Sequence, residues 1–92
     1  MKLPFAEYPP IAYLLQVLEH CPKAGATYLQ LWQQRDKDSR VSIKRADVRI
    51  TFLTSLAKFR HDILLLVKEQ LVSVHETPTM IKIELVDWHD DA

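Results

Sequence analysis

Apolar positions along this chain recur first at steps of three and four and later at steps of two, and each change of period marks a change of element. Ile11, Leu14, Leu15 and Leu18 make the first helical stripe. Pro10 suits its first position, and Cys21-Pro22 closes it. A second helix is expected from Lys23 or Ala24 to about Arg35, with Ala24, Tyr28, Leu31, Trp32 and the stem of Arg35 facing inward. Residues 36–40 are polar and read as a loop. Val41-Ser42-Ile43 alternates and reads as a short edge strand. Residues 44–53 are assigned to a helix that Ser42 caps, against the period-two alternation of Val48, Ile50 and Phe52. Ser55 then caps the strongest helix, running to about Gln70, with Leu56, Phe59, Ile63, Leu66 and Val67 as its inward stripe. Its opposite face is expected to carry Lys58, His61, Asp62, Leu65 and Glu69. Residues 71–75 and 80–86 read as strands joined by Glu76-Thr77-Pro78-Thr79, with Ile81, Ile83 and Leu85 alternating against Lys82 and Glu84.

Composition narrows the class. A chain of 92 residues with 48% apolar and 26% charged residues is one globular domain with a single modest core. The division expected is an arm and extra helix at 1–21, a core at 22–86 and an acidic tail at 87–92. No uninterrupted apolar run, residues 63–67 included, exceeds five residues, far too short to span a bilayer. Residues 1–5 are followed by no apolar segment or cleavage signature of a secretory leader. The lone Cys21 excludes an intramolecular disulfide and fits a reducing, cytoplasmic setting. The formal net charge is zero, but it is unevenly spread: +1 over residues 1–40, +3 over 41–72 and −4 over 73–92. A basic middle followed by an acidic end directs attention to the two central helices, because local charge sets the field a phosphate backbone meets.

The order helix, strand, helix, turn, helix, hairpin resembles the winged helix-turn-helix family over residues 22–86. Its most characteristic stretch is Ser55-Leu-Ala-Lys-Phe-Arg-His-Asp-Ile-Leu-Leu-Leu-Val-Lys-Glu-Gln-Leu-Val72. Recognition helices of that family often open with Ser, are apolar where Phe59, Ile63 and Leu66 stand, and finish in Leu-Val, here Leu71-Val72. Gln70 stands where the family commonly has glycine. Residues 22–32 look like the first helix of the winged domains of plasmid and phage replication proteins. The resemblance implies an α+β winged helix-turn-helix with an additional N-terminal helix and a C-terminal hairpin wing. It implies that residues 55–70 enter the major groove, with Thr54, Ser55, Lys58 and His61 nearest the bases and Ala57 available to a thymine methyl. Lys44, Arg45, Arg49 and Arg60 would then meet phosphates. Many winged domains keep a cation at the wing tip. This chain has Glu76 there and only Lys82 as a basic residue in the hairpin.

Nothing in the chain requires catalysis, a metal or a cofactor. His61 beside Asp62 has no nucleophile or third orienting group. His20-Cys21 is the only His/Cys pair in sequence, and His75 and His89 fall at no ligand spacing. The only glycine, Gly25, forms no phosphate loop. The expected function is sequence-selective binding of double-stranded DNA by a small transcriptional or replication regulator. The alternative is a winged-helix protein-interaction or inhibitor module of a phage, plasmid or bacterial system that binds no DNA. Convergence of Lys44, Arg45, Arg49, Lys58 and Arg60 on one acid-free surface separates the two. Surplus apolar surface on Ile11, Leu14, Leu15, Leu18 and Leu65 predicts a homodimer, which would double a weak basic surface and match a palindromic site.

Overall fold

Tyr28, Leu31, Trp32, Phe59, Ile63 and Leu66 are the side chains on which two helices and a sheet converge, and all six are buried. The computed structural model describes residues 9–86. It is an α+β structure with four α-helices and a three-stranded antiparallel sheet. The N-terminal arm through residue 8 and the acidic end from residue 87, Trp88 included, lie outside the described residues.

Helix α1 spans Ile11–His20, and a single 3-10 turn at Pro22–Ala24 leads into α2, Gly25–Gln34. Strand β1 covers Arg40–Lys44, a residue longer at each end than its alternation suggests. A second 3-10 turn at Arg45–Asp47 follows, then the short α3, Val48–Phe52, and α4, Leu56–Lys68. Strands β2, Val72–Glu76, and β3, Met80–Leu85, form a hairpin, and the sheet order is β1-β3-β2. Val41, Ile43, Ile81, Ile83 and Leu85 face the helices, while Arg40, Ser42, Lys44, Lys82 and Glu84 face away.

The core-facing stripe of α4 is as the 3.6-residue period requires. Burying Phe59, Ile63 and Leu66 contributes about 1.5–3 kcal/mol apiece. Phe59 also meets Phe52 of α3 at a ring-centroid distance of 4.7 Å, which ties the short helix to the long one. On α2, Trp32 packs edge-on to Tyr28 at 6.4 Å, and the Arg35 guanidinium lies 4.5 Å above the indole. The buried residue of α1 is Val17, with Leu14 half-buried.

Several expectations are corrected. Ser42 caps nothing. It is a strand residue, and Lys44 precedes the 3-10 turn without a side-chain cap bond. Within the 44–53 segment only Val48 and Phe52 are buried, because a single 3-10 turn and a five-residue helix leave room for one inward row. Ser55 does cap α4, its hydroxyl accepting the Lys58 N–H at 3.1 Å. Asp62 and Leu65 are not on the wet face: Asp62 is buried, and Leu65 is half-buried against the core.

The exit from α4 explains how the hairpin begins without glycine. Gln70 has φ 63°, the left-handed conformation. Its N–H donates to the Val67 carbonyl at 2.9 Å, and the Leu71 N–H donates to the Leu66 carbonyl at 3.0 Å. That paired pattern is the Schellman termination, and both Leu66 and Leu71 beside it are buried. A side chain here carries a left-handed penalty of about 1–2 kcal/mol, partly offset by the lower unfolded-state entropy of a non-glycine residue. Gln70→Gly is expected to stabilise the fold by about 0.5–1 kcal/mol, and Gln70→Val to destabilise it. Thermal melts followed by circular dichroism check this, and a lower midpoint for the glycine variant would contradict it.

Candidate nucleic-acid interface

Rotation of α4 about its axis decides which side chains are offered to a partner, and a buried polar contact fixes that rotation. Asp62 is 1% exposed. One of its oxygens accepts the Thr27 hydroxyl of α2 at 2.8 Å, and Lys58 Nζ approaches both oxygens at 3.0–3.1 Å. A carboxylate this deep is tolerated only because it is hydrogen-bonded and paired. At the other end of the helix Glu69 is turned toward α1. Its side chain accepts from Gln16 Nε2 at 3.0 Å and meets His20 Nδ1 at 2.7 Å, and the same amide also donates to the Glu69 carbonyl at 2.9 Å.

With both acids directed into the domain, the outward stripe of α4 is Ala57, Arg60, His61, Leu64 and Lys68, every one exposed. Their spacing of three, one, three and four residues keeps them on one face. No carboxylate of α4 interrupts it. At the elbow before α4, Leu53 closes α3 at φ 55° and Thr54 is half-buried. Ile50 and Leu53 are 78% and 82% exposed, and Leu64 is 62% exposed.

Of the residues expected to bind DNA, Arg60 and His61 lie on this stripe, and Arg49 is exposed on the neighbouring α3. Arg45, on the 3-10 turn after β1, joins Arg60 through a shared carboxylate. Glu76 receives Arg60 Nε at 3.2 Å and Nη2 at 3.3 Å, and lies 3.8 Å from Arg45 Nη2. Glu76 is thus the last residue of β2, folded against α4, and not the tip of the turn. Lys58 is drawn toward α2 by Asp62, and the Ser55 hydroxyl is engaged as a cap. Lys44 and Lys82 belong to the outward face of the sheet, away from the helices, with Lys82 registered between Ser42 and His75. The five cations named above do not converge on one acid-free surface.

His61 and Asp62 point in different directions, one outward and one into the core, so the pair forms no dyad. Lys68 is the residue of this surface that sequence reasoning missed, and Glu76, expected in the turn, ends β2 beside it. The outward stripe, once Asp62 is recognised as internal, supplies the signal for Lys68. Among the described residues no helix is long and apolar enough to cross a membrane.

The clamp that seats α1 on the C-terminal end of α4 titrates. The hydrogen bond to Glu69 and then its negative charge raise the His20 pKa above 6.5. The Gln16 amide and then His20 lower that of Glu69 below 4.5. The His20 contribution is complete below 6.5 and is lost as pH rises through the raised folded value. The Glu69 contribution is complete above 4.5 and is lost as pH falls through the lowered value. Hydrogen-exchange protection of α1 is therefore expected to be greatest between the two folded values and to decline on the alkaline side. In His20→Ala that alkaline decline should vanish, and its persistence would assign it to another group.

No family model, curated protein or solved structure matches this chain.

Proposed function

We propose that the chain is a winged helix-turn-helix domain that binds double-stranded DNA through α4. The element order α2, β1, α3, α4, β2, β3 and the sheet order β1-β3-β2 support the winged reading, with α3 and α4 as the helix-turn-helix and the β2–β3 hairpin as the wing. The observation that carries the binding reading is the outward stripe of α4, to which the helix contributes Arg60, His61 and Lys68 in line and no acid of its own. The interface is smaller than the sequence suggests. Arg45 and Arg49 extend it, whereas Lys44, Lys58 and Lys82 do not. Its mechanism is occupation of a site: cations and helix position the domain on phosphates, and His61 and Ala57 face the base edges.

Three to four phosphate contacts imply a slope of log affinity against log salt of about −3 to −4. Fluorescence anisotropy with random duplex DNA is expected to show weak, salt-sensitive binding of that slope. Arg49→Ala should flatten the slope by about one unit and weaken all sequences alike. Absence of binding at low salt would remove this reading. A second reading, a winged-helix protein-interaction module, is favoured by the exposure of Ile50 and Leu53 beside the elbow. Under that reading Leu53→Ser abolishes partner binding, while under the DNA reading it leaves the salt slope unchanged.

The proposal includes a homodimer, because a second copy doubles so short a row of phosphate contacts. Ile11, Leu15 and Leu18 lie exposed at steps of four and three on α1 and supply the surface. Leu65, expected in that interface, packs against the domain's own core, and Leu14 is half-buried. Sedimentation of Leu15→Glu should show a shift from dimer to monomer with the melting curve unchanged; a wild-type monomer at the concentrations used for DNA binding would refute the dimer.

A further inference from the structure

Arg45, Arg60 and Glu76 come from three separate elements and meet at one point beside the outward stripe of α4. Arg45 is held there by its backbone, whose N–H donates to the Thr79 carbonyl of the hairpin turn at 3.0 Å. Arg60 is in the second turn of α4, and Glu76 ends β2. The carboxylate satisfies the two guanidinium groups unequally. Arg60 takes it side-on with two contacts of 3.2 and 3.3 Å. Arg45 reaches it only at 3.8 Å from Nη2, and Arg45 Nε is buried without an acceptor. Two cations facing one anion leave a local excess of positive charge, and a buried donor without a partner is destabilising.

A phosphodiester fits this place better than the glutamate does. Its two anionic oxygens are set tetrahedrally and accept from two planar guanidinium forks at once, the geometry for which arginine is suited. All three side chains are partly open to solvent, so the carboxylate is able to swing out from the strand end as a phosphate enters. We propose that Arg45 and Arg60 form a seat for one backbone phosphate of duplex DNA, and that Glu76 occupies this seat in the free protein as an internal stand-in. The inference rests on the DNA reading and adds its regulation: Glu76 sets a threshold that only a duplex making the remaining α4 contacts overcomes. Individual cations of the protein then bind stray anions poorly, which raises discrimination at a cost in affinity.

Glu76→Gln keeps the shape and removes the charge. Its duplex affinity at low salt is expected to rise about tenfold, with a salt slope steeper by about one unit, since a like charge beside a phosphate is gone. Adding Arg60→Ala to Glu76→Gln should abolish the gain. A separate measurement omits DNA: the side-chain Nε–Hε resonances of Arg45 and Arg60 are followed by NMR during titration with pyrophosphate. Both should move together, and at lower concentration in Glu76→Gln than in the wild type. Wild-type duplex binding that Glu76→Gln leaves unchanged in affinity and slope overturns the seat and spares the DNA reading. Joint movement of both resonances with no duplex binding by either protein keeps a phosphate seat but overturns duplex DNA as its occupant, and removes the DNA reading. Should Glu76→Gln fail to fold, the wild-type titration decides: joint movement supports the seat, and two unmoved resonances overturn it.

Discussion

The buried carboxylate of Asp62 is the constraint on which the rest of this molecule depends. Apolar packing alone defines α4's inward side only broadly, because Leu56, Phe59, Ile63, Leu66 and Val67 span a wide arc. The Thr27 hydroxyl at 2.8 Å is directional, and it accepts only one rotation of α4 against α2. Lys58 completes the arrangement from the exposed flank, so the ion is neutralised at the boundary and not in the depth of the core. Breaking such a contact by removing one partner typically costs about 3–5 kcal/mol, more than any surface pair in the domain contributes. Specificity of orientation, more than net stability, is what a buried ion of this kind supplies.

Once α4 is set, its two ends organise the remainder. At the start, Ser55 turns the chain out of the elbow and Phe59 holds Phe52, so the five-residue α3 has a fixed seat although it is too short to be stable alone. At the finish, the left-handed Gln70 and the Leu66–Leu71 hydrogen bond launch β2 directly from the helix. The Val86 N–H returns to the Leu71 carbonyl at 2.9 Å, closing the hairpin beside the same turn. The Gln16, His20 and Glu69 clamp then lays α1 on that end. Each step uses a polar contact for direction and an apolar one for adhesion.

Much of this was legible in the sequence. The stripe Phe59, Ile63, Leu66 and the pair Tyr28, Trp32 are read from a 3.6-residue period that packing does not alter. The alternation of Ile81, Ile83 and Leu85 likewise places one face of β3 inward. The burial of Asp62 is not legible because a carboxylate is assigned to water unless a partner is known, and Thr27 lies 35 residues away on another helix. Leu64 is exposed and Leu65 half-buried, a distinction of a single 100° step that the run Leu64-Leu65-Leu66 conceals. Segment 44–53 reads as one helix in the sequence but divides into a 3-10 turn and a five-residue helix. So short an element completes little more than one turn and repeats no period, so its pattern does not mark Ile50 and Leu53 as exposed. The candidate site was less legible than the fold, since the position of Glu76 depends on how the hairpin folds back on α4.

The neutrality of the whole chain is consequently a poor guide to the field at any one face. Of the three acids in residues 41–72, Asp62 is committed to the interior and Glu69 to the α1 clamp, while Asp47 precedes α3. Cations are not withdrawn to the same degree, because a long aliphatic stem lets Lys and Arg keep their heads at the surface while the carboxylates are drawn in. An uneven withdrawal of this sort leaves a positive stripe on a molecule of zero net charge. Glu76 then acts against the imbalance at one point, where two guanidinium groups meet. On the proposed reading, the protein's affinity for a polyanion is governed less by how many basic residues it carries than by where its exposed acids stand.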